Sequence, residues 1–321
     1  MNRTKQLALR AARSSVALTS LLFLADGLWA KLIGARTLDS EHLSGINIDE
    51  DYRYAAMVAG YYLERGKVHG RVAEIGPGGS AAVALHLLGK GARSVDLLDR
   101  FVFTHDETQL DRLYRRFENY EDLSKVRFHT GESASAERFF TKHRGFDAIF
   151  SCAVLEHVSD PAGALKCMIA ALEPGGRLVH QVDLRDHGMF TAGGKHELTF
   201  LTIAEPMYRL MSQARGRPNR VPLAAYRRVL DESGVDYRIL VTHLVGVGEL
   251  SQPQEIGEIA TNVMERAIRT VAAVRPKLIR QFREQALDDL AVAGFRIEAV
   301  KRSDVKPPRR HLRGSAIRRP R

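Results

Sequence analysis

Residues able to carry chemistry gather in three places along the chain. The first is residues 71–84, RVAEIGPGGSAAVA, where an apolar run is followed by an acidic residue, a glycine cluster and small residues at helical spacing. The pattern reads as strand, tight turn and helix start. Gly76, Gly78 and Gly79 permit backbone angles closed to other residues, and the helix behind them offers unpaired N–H groups to a ligand. A nucleotide-like ligand fits such a turn. The spacing Gly76, Gly78, Ala81 also satisfies the dinucleotide fingerprint G-x-G-x-x-G/A. Glu74, two residues ahead of the first glycine, argues otherwise: a carboxylate there repels a pyrophosphate and attracts the ammonium of an amino-acid moiety.

The second group is acidic residues at the ends of later apolar runs. Asp99 lies 25 residues after Glu74, where a carboxylate can take both hydroxyls of a ribose. Glu132, with Ser133 beside it, follows the run at 125–130 and is placed to accept from an adenine amino group. The third group is His157 and the cluster Asp183, Asp186 and His187. Imidazole changes charge near working pH and suits a general base, and Asp183 and Asp186 are near enough in sequence to orient or charge His187. The same residue types allow a metal, but nothing in their spacing demands one, and no metal is assigned.

Holding these residues together requires alternating strands and helices. Residues 71–75, 94–101, 125–130, 146–151, 177–182, 237–245 and 295–300 read as strands, and 81–90 and the stretch opened by Asp160-Pro161 as helices. Ahead of the first strand, Tyr54, Val58, Tyr61 and Tyr62 recur at three- and four-residue steps. This is a helical stripe suited to core packing and able to serve as a lid. Residues 252–285 read as helical. No internal repeat and no P-loop lysine occur.

The EIGPGG turn, the FDAIFSCAVLEHV strand and the LEPGG turn, in that order and spacing, make residues 71–183 resemble a class I S-adenosylmethionine-dependent methyltransferase. The resemblance implies an α/β, Rossmann-like doubly wound sheet of about seven strands with an antiparallel closing strand, plus N-terminal helices. It also implies that Glu74, Gly76 and Gly78 hold the methionine end of S-adenosyl-L-methionine, Asp99 the ribose, and Glu132 and Ser133 the adenine edge. Ser151 and the backbone as far as Val154 would line the methyl-donor slot. The turn departs from the family's commoner G-x-G-x-G at Gly79-Ser80. The DLRDH segment is similar to methyltransferases of bacterial surface-polysaccharide pathways. The implied activity is O-methylation of a hydroxyl on a small molecule or glycan, with His157, His187 and Asp183 as candidates for removing its proton. RNA or protein methylation, and a catalytically silent membrane-associated scaffold, are the alternative readings.

Charge distribution bears on these alternatives. The net charge of +10 resides in the ends: residues 1–36 carry +5 and 301–321 carry +8, which leaves the body at −3. An acidic body argues against a nucleic-acid groove built into the fold. Cys152 and Cys167 form no disulfide framework, in keeping with a reducing cytoplasm. The expected organisation is a basic, apolar N-terminal helix (1–36), a methyltransferase domain (37–302) and a basic disordered tail (303–321). Within the domain, 37–70 form a helical lead-in, 184–226 an acceptor-side insertion and 250–286 a helical insertion. The N-terminal helix packs on the domain or lies on an anionic membrane with Trp29 at the interface, and the basic ends suit peripheral membrane contact.

Overall fold

The computed structural model describes residues 15–33, 47–64, 66–101 and 107–303. The segments 1–14 and 304–321, and with them the tail expected to be disordered, lie outside the described residues. Two helices, α1 (Val16–Ile33) and α2 (Ile48–Leu63), precede β1 (Gly70–Ile75), α3 (Ala82–Gly89), β2 (Ala92–Asp99), α4 (Glu107–Tyr114) and β3 (Val126–Thr130). Next come α5 (Ala136–Lys142), β4 (Phe146–Cys152), α6 (Pro161–Ala171), β5 (Leu172–Asp183), α7 (Glu205–Ser212) and α8 (Leu223–Glu232). The chain continues through β6 (Val235–Leu244), β7 (Gly248–Glu255), α9 (Thr261–Val274), α10 (Arg280–Arg283), α11 (Leu287–Ala291) and β8 (Val292–Lys301). Local chemistry fixes several starts. Asp160 caps α6 by accepting from the Gly163 N–H at 2.8 Å, with Pro161 in the first helical turn, where its missing N–H costs nothing.

The strands form one sheet in the order β3-β2-β1-β4-β5-β8-β6-β7. Strands β3 to β5 pair in parallel, and β8 runs antiparallel between β5 and β6. The strand that closes the chain is therefore interior to the sheet. Alternation along the strands separates two cores: Val72, Leu97 and Phe150 face α2 and α3, whereas Ala73, Ile149 and Leu178 face α5, α6 and the later helices. The chain order reverses across β1, between β2 and β4, and the crevice beyond the carboxyl ends of these strands is where ligands bind in open α/β sheets.

Two expectations need correction. Residues 248–255 form β7, an eighth strand, within the stretch read as a helical insertion, and helix resumes only at Thr261. GELSQPQE has no apolar alternation because it is an edge strand, and Pro253 is tolerated there because one side of an edge ladder needs no donor. The stripe Tyr54, Val58, Tyr61, Tyr62 is also not one buried face. Val58 and Tyr62 are buried, the latter stacked on Phe150 with centroids 4.7 Å apart, while Tyr54 and Tyr61 are exposed.

Helix α1 packs on the domain through Thr19, Ser20 and Ala30, through Phe23 edge-on to Phe190, and through Asp26, which accepts from Arg215 at 2.8 Å and from Arg217. Its outer face leaves Leu18, Leu21, Leu22, Leu28, Trp29 and Leu32 exposed. No described helix is long and apolar enough to cross a membrane.

One buried charge ties three strands together. Asp96 on β2 is fully buried and takes Arg71 (2.7 Å) from β1 and Arg127 (2.9 Å) and His129 (2.8 Å) from β3. Burial alone would raise its carboxyl, but these partners outweigh it and hold the group down at about 2. A depressed folded value contributes stability at and above the ordinary carboxylate range, and that stability is lost as pH falls through about 2. Asp96→Ala is expected to cost about 2 kcal/mol in urea unfolding at pH 7, less than the ~3–5 of a fully buried pair because both arginines reach water. A loss below 0.5 kcal/mol would show that the cluster is electrostatically neutral to stability.

Candidate active site

A cleft of about 590 Å³ opens at the carboxyl ends of β1, β2 and β4. Its walls include Tyr54, Gly76, Gly78, Asp99, His157 and His187. The turn after β1 has Gly76 at φ +70° and Gly78 at φ +66°. These glycines do different work. A Cβ on Gly76 would lie 2.4 Å from Val154, so that residue secures packing, whereas a Cβ on Gly78 would meet nothing within 4 Å, which is the space a ligand needs to approach the backbone. Tyr54, on the exposed side of α2, reaches the cleft wall from above the sheet end.

Asp99 ends β2 on the cleft wall and accepts from the Phe101 N–H at 2.9 Å. Burial raises its carboxyl to about 6, against the pull of that hydrogen bond and of Arg100. Glu74 is buried beneath the turn rather than on the wall; Tyr62 donates to its Oε1 at 3.4 Å, and its Oε2 has no partner. Burial pushes this carboxyl up to about 8.

Other expected contacts stand elsewhere. Glu132 sits in a short 3-10 turn and faces Arg100 and Arg138, each at 3.9 Å, and neither it nor Ser133 is on the wall. That turn carries the chain one step further, so residues 134–137 line the cleft instead. The Ser151 side chain is fully buried and meets His180 Nδ1 at 2.8 Å, because strand alternation turns it away from the cleft; Cys152, Ala153 and Val154 provide the lining there. Ala153 adopts φ +53°, a conformation uncommon outside glycine.

The candidate base residues come together. His157 and His187 meet edge to face with centroids 4.9 Å apart, both on the cleft wall. Behind them, Asp183 Oδ2 lies 3.5 Å from His187 Nε2 and is also held by Arg185 at 2.7 Å. Burial works to raise Asp183, but the bonds from His187 and Arg185 prevail and keep it well below the usual carboxylate range. Burial, reinforced by the neighbouring His187, lowers His157 to about 4 and keeps it neutral near pH 7. Asp186 does not join them. Fully buried, it accepts from the N–H groups of Gly188, Phe190 and Thr191 and from the Thr191 hydroxyl. It thereby fixes the turn that holds His187 at φ +49°.

The sequence reading missed Glu156. It is fully buried, its Oε1 accepts from the Asp183 N–H at 3.2 Å, its Oε2 has no partner, and burial raises it to about 8. Glu156, His157 and His187 present ligand atoms within 4.8 Å of one another, the group among the described residues that could hold a metal ion. Asn219 secures this turn from the insertion: its Nδ2 donates to the carbonyls of Leu155 and Val158, each at 2.8 Å. Adjacency to His157 in LEHV was the available clue to Glu156; Asn219 had none.

Comparison with known proteins bears on what such a cleft serves. A family model described as a methyltransferase domain matches residues 48–238. No curated protein matches the chain. Among solved structures, phosphoethanolamine N-methyltransferase 2 of Haemonchus contortus, in complex with phosphomonomethylethanolamine and S-adenosylhomocysteine, aligns at 14% identity and TM-score 0.42 over 78% of this chain. The match spans about half, 52%, of that protein's length. The N-methyltransferase NodS of Bradyrhizobium japonicum, in complex with S-adenosylhomocysteine, aligns at 13% identity and TM-score 0.40, covering 82% of this chain and 92% of that one. A putative methyltransferase in complex with the Trm112 activator of Haloferax volcanii aligns at 14% identity and TM-score 0.42, covering 81% and 93%. The family match extends over the glycine turn, the cleft and the histidine pair, and the chain belongs to the methyltransferase-domain family.

Proposed function

We propose that the cleft takes S-adenosylmethionine and that the protein transfers its methyl group to a hydroxyl of a small molecule or glycan. The donor set supports the fit. Gly78 leaves open space at the turn, and Asp99 presents a carboxylate suited to a ribose diol on the same cleft wall. When bound, the sulfonium supplies an activated methyl group for in-line displacement, a reaction in which positioning carries much of the rate.

The observation that carries the hydroxyl assignment is the Asp183–His187 pair beside neutral His157 on the wall of the same cleft. A neutral amine is already nucleophilic and needs no base before attack, whereas a hydroxyl must lose a proton as the new bond forms. In this reading His187 takes that proton, and Asp183 orients the imidazole and stabilises the charge it gains. His157 stays neutral and hydrogen-bonds the acceptor. The exposed leucines of α1 and Trp29, close to the basic N-terminal segment in sequence, support a peripheral contact with an anionic membrane.

The test has two parts. S-adenosylhomocysteine at 100 times its dissociation constant should stabilise the protein by ~2.7 kcal/mol, with no shift from NAD. Isotopically labelled donor should then transfer methyl to hydroxylated carbohydrates in preference to amines. A shift with NAD alone overturns the donor assignment, and exclusive labelling of amines overturns the acceptor assignment.

A further inference from the structure

Beside the donor cleft lies a second cavity of about 470 Å³, and Arg100, His157, Val158 and Gly216 line both. The shared residues include an imidazole of the proposed chemistry, so the two spaces meet where the methyl group would be passed. The size falls in the range of ~300–1,000 Å³ usual for small-molecule sites. Its charged lining is unequal: Arg100, Arg209, Arg217 and Arg220 against Glu205. Apart from Arg100, these residues come from the segment 184–226 between β5 and β6.

The arginines are not all equally committed. Arg217 is spent on structure, donating to the Met211 carbonyl at 2.5 Å and to Asp26 of α1. Arg220 has its side chain only 3% exposed; Nη1 serves the carbonyls of Phe200 (3.1 Å) and Ile203 (2.6 Å), Nη2 meets Glu205, and Nε has no partner. Burial lowers the basicity of both, so their charge is poorly solvated in this state. Arg209, 61% exposed, is 3.9 Å from Glu205, and Arg100 is likewise 3.9 Å from Glu132. Both are free to turn toward an anion. The Glu205 carboxylate is itself 42% exposed, meets Arg220 and Arg209, and accepts from Gln281 at 3.3 Å. One half-exposed carboxylate thus sits among two guanidinium groups and an amide, the arrangement by which arginine forks recognise carboxylate and phosphate oxygens.

We propose that this cavity is the acceptor site and that it takes an acceptor bearing an oxyanion, phosphoryl or carboxylate, which displaces Glu205 from Arg209 and Arg220 and leaves the reacting hydroxyl toward His157. Glu205 is then an internal stand-in that keeps the cavity neutral enough to fold. The inference rests on the reading of the neighbouring cleft as the donor site, and its test is arranged to fail separately.

The full-length protein, saturated with S-adenosylhomocysteine, is titrated calorimetrically with inorganic phosphate and, in a second arm, with acetate at constant ionic strength. Saturable binding is expected, and the arm that binds more tightly identifies the phosphoryl or the carboxylate form. E205Q removes the competing charge and should tighten anion binding at least threefold, whereas R209A should weaken it at least threefold; neither should alter S-adenosylhomocysteine affinity. Opposite responses of two neighbouring residues are not what loss of a structural brace would give. If E205Q does not fold, R209A, whose side chain is mostly in solvent, carries the test. Absence of saturable binding of either anion, or affinity unchanged in R209A, overturns the proposal. Absence of S-adenosylhomocysteine binding in the wild type strikes the donor reading instead.

Discussion

Replacing His187 by alanine is expected to lower turnover ~10²- to 10⁴-fold, the usual contribution of a positioned general base, while S-adenosylhomocysteine affinity stays within about twofold of wild type. The geometry explains why this residue should exceed its neighbours in effect. Asp183 is held ionised by His187 and Arg185 and lies 3.5 Å from His187 Nε2, so an imidazolium formed there gains a partner already in place. His157 lies in a setting that opposes its protonation, lowered to about 4 by burial and by His187. It therefore stays neutral at working pH, suited to hydrogen-bond the acceptor. His157→Ala should lower turnover about tenfold by loss of one hydrogen bond to the acceptor. A chelator control belongs to the same experiment, because Glu156, His157 and His187 are close enough to hold a cation. Turnover unaffected by the chelator supports the imidazole as base, and turnover abolished by it and restored by a divalent ion would replace the base with a metal-activated hydroxyl. Wild-type turnover in His187→Ala would remove the residue from the chemistry altogether.

What the sequence made legible was whatever depends on residue type at close spacing. Parallel strands β1, β2 and β4 contain apolar runs, and the turn after β1 needs left-handed backbone that Gly76 and Gly78 supply, so these could be placed from the string of residues alone. Asp99 was legible for the same reason, since it ends a recognisable strand. Contacts that depend on the direction of a single side chain were not. Ser151 belongs to a correctly read strand, yet alternation points it into the sheet against His180 rather than into the cleft. Glu132 was displaced by a 3-10 turn too short to leave a periodic signal. Features joined by tertiary packing were invisible. Nothing in LEHV foretells that Asn219 will hold its carbonyls, and Arg209, Arg217 and Arg220 look like ordinary surface charge until the insertion folds them around one cavity. Strand β7 was missed because its stability comes from pairing with β6 and not from its own polar residues.

Asp99→Ala should weaken S-adenosylhomocysteine binding at least a hundredfold, because a carboxylate accepting from two hydroxyls makes two hydrogen bonds to a charged group, each worth ~1.5–3 kcal/mol. The isosteric Asp99→Asn separates this role from structure. In the free protein burial raises Asp99 to about 6, so the side chain is still mostly ionised at neutral pH but its charge costs more in the fold than in the unfolded chain. A carboxyl whose folded value lies above its unfolded value near 3.8 stabilises the fold fully below that unfolded value, and the stabilisation is lost as pH rises through about 6. At pH 7, therefore, the ionised side chain is a cost to the free protein, held for the sake of the ligand. The amide introduced by Asp99→Asn would remove that cost and still accept from the Phe101 N–H, so the free variant should melt higher than wild type at pH 7 and show no such gain at pH 4. Its S-adenosylhomocysteine affinity should nevertheless fall, since a neutral amide offers a ribose diol one acceptor oxygen in place of two. In the wild type the same linkage predicts that ligand affinity declines as pH drops from 7 to 5, while the contribution of Asp99 to the stability of the free protein rises. An Asp99→Asn variant that melts lower than wild type at pH 7 would show that Asp99 is a structural brace for residues 100 and 101. Unchanged affinity in Asp99→Ala would remove the ribose from this carboxylate and leave the glycine turn alone to hold the donor.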